Sequence, residues 1–176
     1  MPYHQTKTET GYTLIELLTA LTLLITLIAT ALPSFRRLLT SQQLGANANQ
    51  VLAMIFTARA EGAYRSDMLI CSGQGRCKDF SLPDNQLILV ADRNSNQQLD
   101  DGDDVIHRLT LPPGMTIQWR SFRGLPALRI NRHGVAYYQN GHFLLCQGGQ
   151  ARKVILNFQA KARVSSPAPT THCPPS

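Results

Sequence analysis

The segment from Asp92 to Asp104 carries the residue types of a calcium-binding loop. Oxygen-bearing side chains stand at its first, third, fifth, ninth and twelfth positions, as they do in an EF-hand loop. The sixth position, however, is Gln97, where such loops need Gly, and the twelfth is Asp103, which is one methylene shorter than the usual Glu. Two interpretations remain: a calcium site, or a polar hairpin tip whose side chains cap their own turns. The two departures favour the second, and we predict no metal and no cofactor.

Four cysteines and five histidines are the other residues that could bind a metal or act in catalysis. The cysteines show none of the C-x2-C or Cys–His spacings of a zinc site. They suit an exported domain with two disulfide bonds, for which three pairings are possible. The histidines form no i, i+4 pair and no triad with a Ser or Cys, so we predict that the protein is not an enzyme. The cysteines are Cys71, Cys77, Cys146 and Cys173.

The basic residues are concentrated in the second half of the chain. The net charge is +6, from 17 Lys and Arg against 11 Asp and Glu, and every acidic residue lies at or before Asp104. A positive surface binds phosphate backbones by releasing counterions, and Trp119, Tyr137 and Tyr138 could stack on bases. Alternatively, the charges confer solubility or contact acidic neighbours, and the aromatic residues lie in the core. The candidate DNA contacts bracket the predicted strand segment Val154–Phe158: Arg152, Lys153, Lys161 and Arg163.

An apolar segment from Leu14 to Leu32 contains no charged residue except Glu16. As a helix its 19 residues would extend about 28 Å, close to the bilayer hydrocarbon thickness of about 30 Å. A cleaved secretory signal is the alternative, but the preceding residues hold one Lys and one Glu and no basic cluster. We therefore predict a membrane-spanning helix. Apolar residues at helical spacing continue from Leu44 to Phe56, and Gly62 is the predicted end of one long helix.

Short β runs separated by turn signals follow Gly62. The pair Asn140-Gly141 predicts a tight hairpin between Tyr138 and His142. One long helix followed by many short strands predicts an α+β fold, in which the helix packs on antiparallel sheet. The predicted strands are Met68–Cys71, Gln86–Ala91, Val105–Leu111, Met115–Arg120, Ala127–Asn131, Val135–Gln139, His142–Cys146, Lys153–Phe158 and Lys161–Ser165.

The run Gly11-Tyr12-Thr13-Leu14-Ile15-Glu16-Leu17 resembles the processing site of type IV pilins and of type II secretion pseudopilins. The resemblance implies that a prepilin peptidase cleaves after Gly11 and methylates the new N-terminus at Tyr12. It also implies that Glu16 pairs with the N-terminus of a neighbouring subunit, which removes the cost of two unpaired charges in the membrane. The implied pilin-like organisation has a leader at 1–11, a helix at 12–64 with a transmembrane part at 12–34, and a periplasmic β-rich head with a C-terminal tail at 65–176.

The order and spacing of motifs in the head resemble the GspH/FimT family of minor pilins and minor pseudopilins. With the low entropic cost of closing a short loop, this resemblance favours the disulfides Cys71–Cys77 and Cys146–Cys173. In the FimT branch a C-terminal Gly-Arg-x-Arg element is associated with DNA binding during natural transformation. The corresponding stretch here is Ala160-Lys161-Ala162-Arg163, which keeps both positive charges but has Ala in place of the Gly and Lys in place of the first Arg. The motifs are Leu69-Ile70-Cys71, the Asp-rich turn, Gly114-Met115-Thr116-Ile117, Leu128 to Gly134, and Gly141 to Cys146.

The resemblance implies a minor type IV pilin that is held in the bacterial inner membrane and enters a pilus after cleavage. Its expected partners are the prepilin peptidase, other major and minor pilin subunits, the membrane that it crosses once and, through the four basic residues near the C-terminus, double-stranded DNA. Two alternatives remain. The first is a minor pseudopilin of a type II secretion system, and the second is a purely structural subunit that primes pilus assembly without contacting DNA.

Overall fold

A computed structural model of the chain describes residues 11–73, 77, 84–136, 139–165 and 173. The chain divides into two compact units, Met1–Leu38 and Leu39–Ser176. One helix, α1, comprises Leu14–Gly62, and the strands that follow all lie in the second unit.

The first turn of α1 is capped by Thr13. The Oγ1 atom of Thr13 accepts the backbone N–H of Glu16 at 3.4 Å, and its carbonyl oxygen accepts the N–H groups of Glu16 and Leu17. The threonine hydroxyls further along donate to carbonyl oxygens one turn earlier, so they are satisfied without water. By length and composition the helix can cross a membrane: an 18-residue window has a mean hydropathy of 2.2, and none of that window is buried.

The part of α1 in the second unit packs through one apolar stripe. Its end at Gly62 agrees with the prediction, and a Cβ there would lie 3.3 Å from Met68 Cγ. Phe56 belongs to the predicted stripe, but its ring is 49% exposed, because Met54 and Ala58 complete the buried side instead. The buried apolar residues recur at helical spacing: Leu44, Ala48, Val51, Met54, Ile55 and Ala58.

The described strands form two antiparallel sheets of four strands each. Sheet A contains β1 (Asp67–Ser72), β2 (Gln86–Asp92), β3 (Asp104–Thr110) and β5 (Leu128–Ile130). Sheet B contains β4 (Thr116–Ser121), β6 (Gly141–Gln147), β7 (Gln150–Leu156) and β8 (Ala162–Val164). The strand orders are β3-β2-β1-β5 and β4-β6-β7-β8. The α+β fold predicted from the sequence, with one long helix and antiparallel sheets, is confirmed.

The main core joins the stripe of α1 to one face of each sheet. Trp119 and Phe143 lie at its centre with their ring centroids 4.7 Å apart. Only 2% of Trp119 is exposed, so this ring is part of the core and does not stack on bases. The other two candidate stacking residues, Tyr137 and Tyr138, lie outside the described residues. A second apolar cluster covers the opposite face of sheet A: Leu69, Cys71, Cys77, Ile88, Val90 and Ala127.

The predicted strand Val135–Gln139 is wrong. Val135, Ala136 and Gln139, its described members, belong to no strand. The Oδ1 atom of Asn131 accepts the N–H of Val135 at 3.0 Å, and the N–H of Gln139 donates to the carbonyl of Ala136 at 3.1 Å, so local turns take the backbone groups that a strand would pair.

The hairpin predicted at Asn140-Gly141 is also wrong. Gly141 pairs with Ser121 on one side and Leu156 on the other, so it is the first residue of a central strand. The tight hairpin of sheet B lies between β6 and β7, where Gly148 and Gly149 have φ values of 53° and 72°. Positive φ at both central residues is what a type I′ turn requires.

Candidate functional site

The run from Gly11 to Leu17, which resembles a prepilin processing site, lies at the start of α1. Gly11 and Tyr12 precede the helix, and Tyr12 is 85% exposed. Glu16 occupies the first turn, where a carboxylate is favoured by the partial positive charge of the helix N-terminus. With Thr13 as the cap, Thr13-x-x-Glu16 also has the pattern of a capping box. Helix initiation is therefore a second role available to this Glu besides subunit pairing.

In the Asp-rich segment the chain's own donors bind the carboxylates. Asp92 is completely buried and accepts the N–H groups of Asn96 at 3.1 Å and Gln97 at 2.8 Å. The side-chain amide of Asn94, followed by the N–H of Gly102 and the amide of Asn96, holds the pKa of Asp100 below its ordinary value. No group of three metal-ligating side chains occurs among the described residues. A polar hairpin tip caps its own turns in this way.

The structure contains two disulfides. Cys71 and Cys77 are joined with their Cα atoms 5.0 Å apart, and Cys146 and Cys173 with theirs 5.8 Å apart. The first bond belongs to the second apolar cluster of sheet A. The second bond attaches Cys173 to the face of sheet B that carries Leu144 and Ala151.

Sheet B places basic side chains from several strands on one face. His142 of β6 lies opposite Arg120 of β4 and Ile155 of β7, and Ile155 lies opposite Arg163 of β8. Directly opposed residues project from the same face of a sheet, so Arg120 and Arg163 share a face. The alternate positions of these strands, such as Trp119, belong to the core. The basic side chains therefore point away from the core.

Two lysines complete this surface. Lys153 stands two residues before Ile155 on β7 and thus on the same face. Lys161 is exposed in the turn that leads into β8. We call Arg120, Lys153, Lys161 and Arg163 the basic face. No acidic residue follows Asp104 in the sequence, and Asp84, which forms a bridge with Ile117 beside β4, is buried and hydrogen-bonded to Ser72.

Arg152, the fourth predicted DNA contact, lies on the other face of sheet B. Its Nη2 atom is 3.4 Å from the Oγ of Ser41 on α1, and its Cζ would lie 4.0 Å from a Cβ on Gly45. Neighbouring residues on a strand project from opposite faces, so Arg152 and Lys153 are separated although they are adjacent in sequence. The structure brings three of the four predicted residues together and places Arg152 against the helix.

Arg120 has a place on the basic face that was not predicted from the sequence. The signal for it is the alternation of β4 combined with the β4–β6 register, in which Arg120 lies opposite His142. The register is a tertiary feature that the residues around Arg120 do not reveal. Other basic residues of the second half lie in sheet A, where Arg129 Nε is 3.0 Å from Asp67 and Arg108 donates to Gln86 at 3.1 Å.

The turn between β7 and β8 is held by Asn157. Its Oδ1 atom accepts the N–H groups of Gln159 at 3.1 Å and Lys161 at 3.0 Å. The N–H of Ala160 donates to the carbonyl of Asn157 at 2.9 Å, and Ala160 has a φ of 54° and no exposed surface. This bonding fixes the backbone from which Lys161 and Arg163 project.

A protein-family model described as "Type II transport protein GspH" matches residues 47–160. The crystal structure of the type IV minor pilin FimU of Pseudomonas aeruginosa, strain PAO1, matches with a TM-score of 0.50 and 16% sequence identity, over 78% of this chain and 96% of that chain. At this identity the likeness shows the fold alone. No curated protein sequence matches the chain.

Proposed function

The chain belongs to the GspH family of type II transport proteins, and we propose that it serves as a minor type IV pilin of the FimT kind. Proteins of this family are structural subunits of pili and pseudopili. The exposed apolar helix gives the protein the membrane anchor that such a subunit needs. The proposed location is the bacterial inner membrane, with the head in the periplasm, and a pilus after assembly.

The proposed route into the filament runs through the N-terminal motif. A prepilin peptidase cleaves after Gly11 and methylates Tyr12, and Glu16 then pairs with the N-terminus of a neighbouring subunit. Since α1 holds no other acidic residue before Glu61, Glu16 is the acidic side chain of its apolar part. An unpaired carboxylate at such a site is costly in lipid, so subunit pairing stabilises the assembled form.

We further propose that the basic face contacts double-stranded DNA during natural transformation. The observation that supports this is the placement of four cations on one acid-free side of sheet B. Four phosphate contacts give a slope of about −3.6 for log K against log salt, so the affinity should fall about 100-fold between about 50 and 200 mM salt. Arg152 is left out of the proposed contact, because it faces α1.

The test is DNA binding by the full chain in neutral detergent micelles. Lys153→Gln, Lys161→Gln and Arg163→Gln together should weaken duplex binding strongly and bring the salt slope to about −1, measured at low salt. The matched control removes the same charge outside sheet B, through Arg65→Gln, Arg108→Gln and Arg132→Gln, and should retain most of the affinity. Equal losses in the two variants, or no binding by the native chain at low salt, would overturn the DNA proposal.

A second candidate function is that of a minor pseudopilin in a type II secretion system. The description of the matching family as a type II transport protein favours it. In that case the basic face would contact acidic surfaces of other subunits, and deleting the gene would abolish secretion while transformation by extracellular DNA continued.

A further inference from the structure

Two exposed phenylalanines lie just beyond the same end of sheet B. Phe122 follows the last residue of β4 and donates its N–H to the carbonyl of Asn140 at 2.9 Å, and Phe158 stands two residues after the end of β7. Ser121, Gly141 and Leu156 are aligned across the sheet. Because β6 alone separates β4 from β7, the two chain segments are about 10 Å apart at this end.

Both rings are accessible. Phe122 is 91% exposed and Phe158 is 52% exposed, whereas the two large aromatic rings within sheet B, Trp119 and Phe143, are buried. Neither phenylalanine belongs to an apolar cluster of the head. Full burial of a Phe side chain stabilises a fold by about 1.5–3 kcal/mol; Phe122 makes almost none of this contribution, and the half-buried Phe158 makes only part of it.

The charges around this end are basic. Arg123 is exposed next to Phe122, Lys161 is exposed in the turn that holds Phe158, and Arg163 follows on β8. A ligand that binds at this end of sheet B must have both negative charge and flat apolar surfaces. Single-stranded nucleic acid has both, because each nucleotide joins a phosphate to an unstacked base. A duplex offers its phosphates but keeps its base faces within the stack.

We infer that the basic face continues, at this end of sheet B, into a binding site for single-stranded nucleic acid, in which bases stack on Phe122 and Phe158. The inference rests on the proposed DNA contact and adds a class of substrate to it. The phosphates lie along Arg123, Lys161 and Arg163, while the rings take bases without regard to sequence. The duplex shares Lys161 and Arg163 with this site and leaves the rings unoccupied.

The test compares three probes on the full chain in neutral detergent: a short duplex, oligothymidylate, and an abasic deoxyribose-phosphate oligomer of the same length as the oligothymidylate. The native chain should bind oligothymidylate at least about tenfold more tightly than the abasic oligomer. Phe122→Ala with Phe158→Ala should remove that preference and leave duplex affinity within about twofold. Tyr64→Ala is the matched control, since Tyr64 is 90% exposed on the connection between α1 and β1.

The outcomes separate this inference from the proposed function. Duplex binding without any preference for oligothymidylate over the abasic oligomer overturns the inference and leaves the duplex contact intact. Absence of binding to all three probes overturns both. If the double variant keeps the full preference but fails to enter pili, the rings contact protein, and the inference is again overturned. Unchanged circular dichroism of the variants excludes unfolding as the cause.

Discussion

Ala160 adopts a backbone conformation that glycine usually occupies. At its φ of 54°, an L-residue is strained by about 1–2 kcal/mol. Its buried methyl group contributes about 0.8 kcal/mol, which offsets part of that strain. The hydrogen bonds that Asn157 accepts hold the turn against the remaining strain. The turn can therefore present Lys161 and Arg163 although Ala160 replaces the Gly of the FimT element.

Gly141 is required for a steric reason, because there is no room for a Cβ at this position. A Cβ on this residue would lie 2.5 Å from the carbonyl oxygen of Arg120 and 2.7 Å from the ring of Trp119. Both neighbours are held by β4, so the sheet would have to open. We predict that Gly141→Ala lowers the free energy of unfolding by about 2–3 kcal/mol in urea denaturation of residues 39–176.

Gly149→Ala is the matched control for Gly141→Ala. Gly149 has a φ of 72°, and no atom lies within 4 Å of the place that a Cβ would take, so the variant tests backbone strain without a clash. It should cost about 1 kcal/mol. If Gly141→Ala unfolds at the same urea midpoint as the native head, the close approach of β4 and β6 is not what requires this glycine.

At the residue scale, the sequence shows which side chains are basic, but it does not show which of them lie on the same face of sheet B. Alternation along β7 is enough to separate Arg152 from Lys153, although it does not say which of the two faces outward. The membership of Arg120 depends on the pairing of β4 with β6, which are separated by a long connection. The Asn-Gly pair at 140–141 has the composition of a turn, but the space beside Trp119 explains its glycine better.

At the scale of elements, the two disulfides close loops of different length. Cys71 and Cys77 are 6 residues apart, and Cys146 and Cys173 are 27 residues apart. Chain entropy alone assigns about 2 kcal/mol to the first bond and about 3.5 kcal/mol to the second. The longer loop encloses β7 and β8, which carry Lys153 and Arg163.

We predict that Cys146→Ala with Cys173→Ala destabilises the head more than Cys71→Ala with Cys77→Ala, by about 1.5 kcal/mol in urea denaturation under non-reducing conditions. Each pair of substitutions serves as the control for the other. The reverse order would mean that packing around Cys77, which is 1% exposed within the second apolar cluster, outweighs the entropy of loop closure.

The elements with strong periodicity are the ones that the sequence predicts well. The helix end at Gly62 and the buried runs of β1 and β2 follow from apolar spacing and a stop signal. The strand predicted at Val135–Gln139 is wrong, because the residue types do not reveal that the side chain of Asn131 accepts the backbone N–H of Val135. Hydrogen bonds from one side chain to a backbone several residues away have no periodic signature.

At the scale of the whole molecule, the division of charge in the sequence has a structural counterpart within the head. The acidic residues from Asp92 to Asp104 extend from the last residue of β2 to the first residue of β3 in sheet A, while the strands of sheet B contain no carboxylate. Arg129, although it belongs to the basic half of the sequence, pairs with Asp67 in sheet A. Only part of the positive charge is thus available for a phosphate ligand.

Substitutions in the N-terminal helix and in the basic face should have separate effects in cells. We predict that Glu16→Gln leaves the protein in the membrane fraction but removes it from sheared pili, because the carboxylate that subunit pairing requires is gone. Lys153→Gln, Lys161→Gln and Arg163→Gln together should leave it in pili and reduce transformation at least about tenfold. Immunoblots of sheared filaments and transformant counts measure the two effects.

The variant Arg65→Gln, Arg108→Gln and Arg132→Gln controls for the loss of three charges and should retain both pili and transformation. Loss of piliation in the basic-face variant would contradict the proposed DNA contact, because the lysines would then act between subunits. Loss of secretion in place of transformation would assign the same surface to a pseudopilus. In each of these outcomes the basic face binds an acidic partner. The phenotype that is lost identifies whether that partner is a phosphate backbone or a protein.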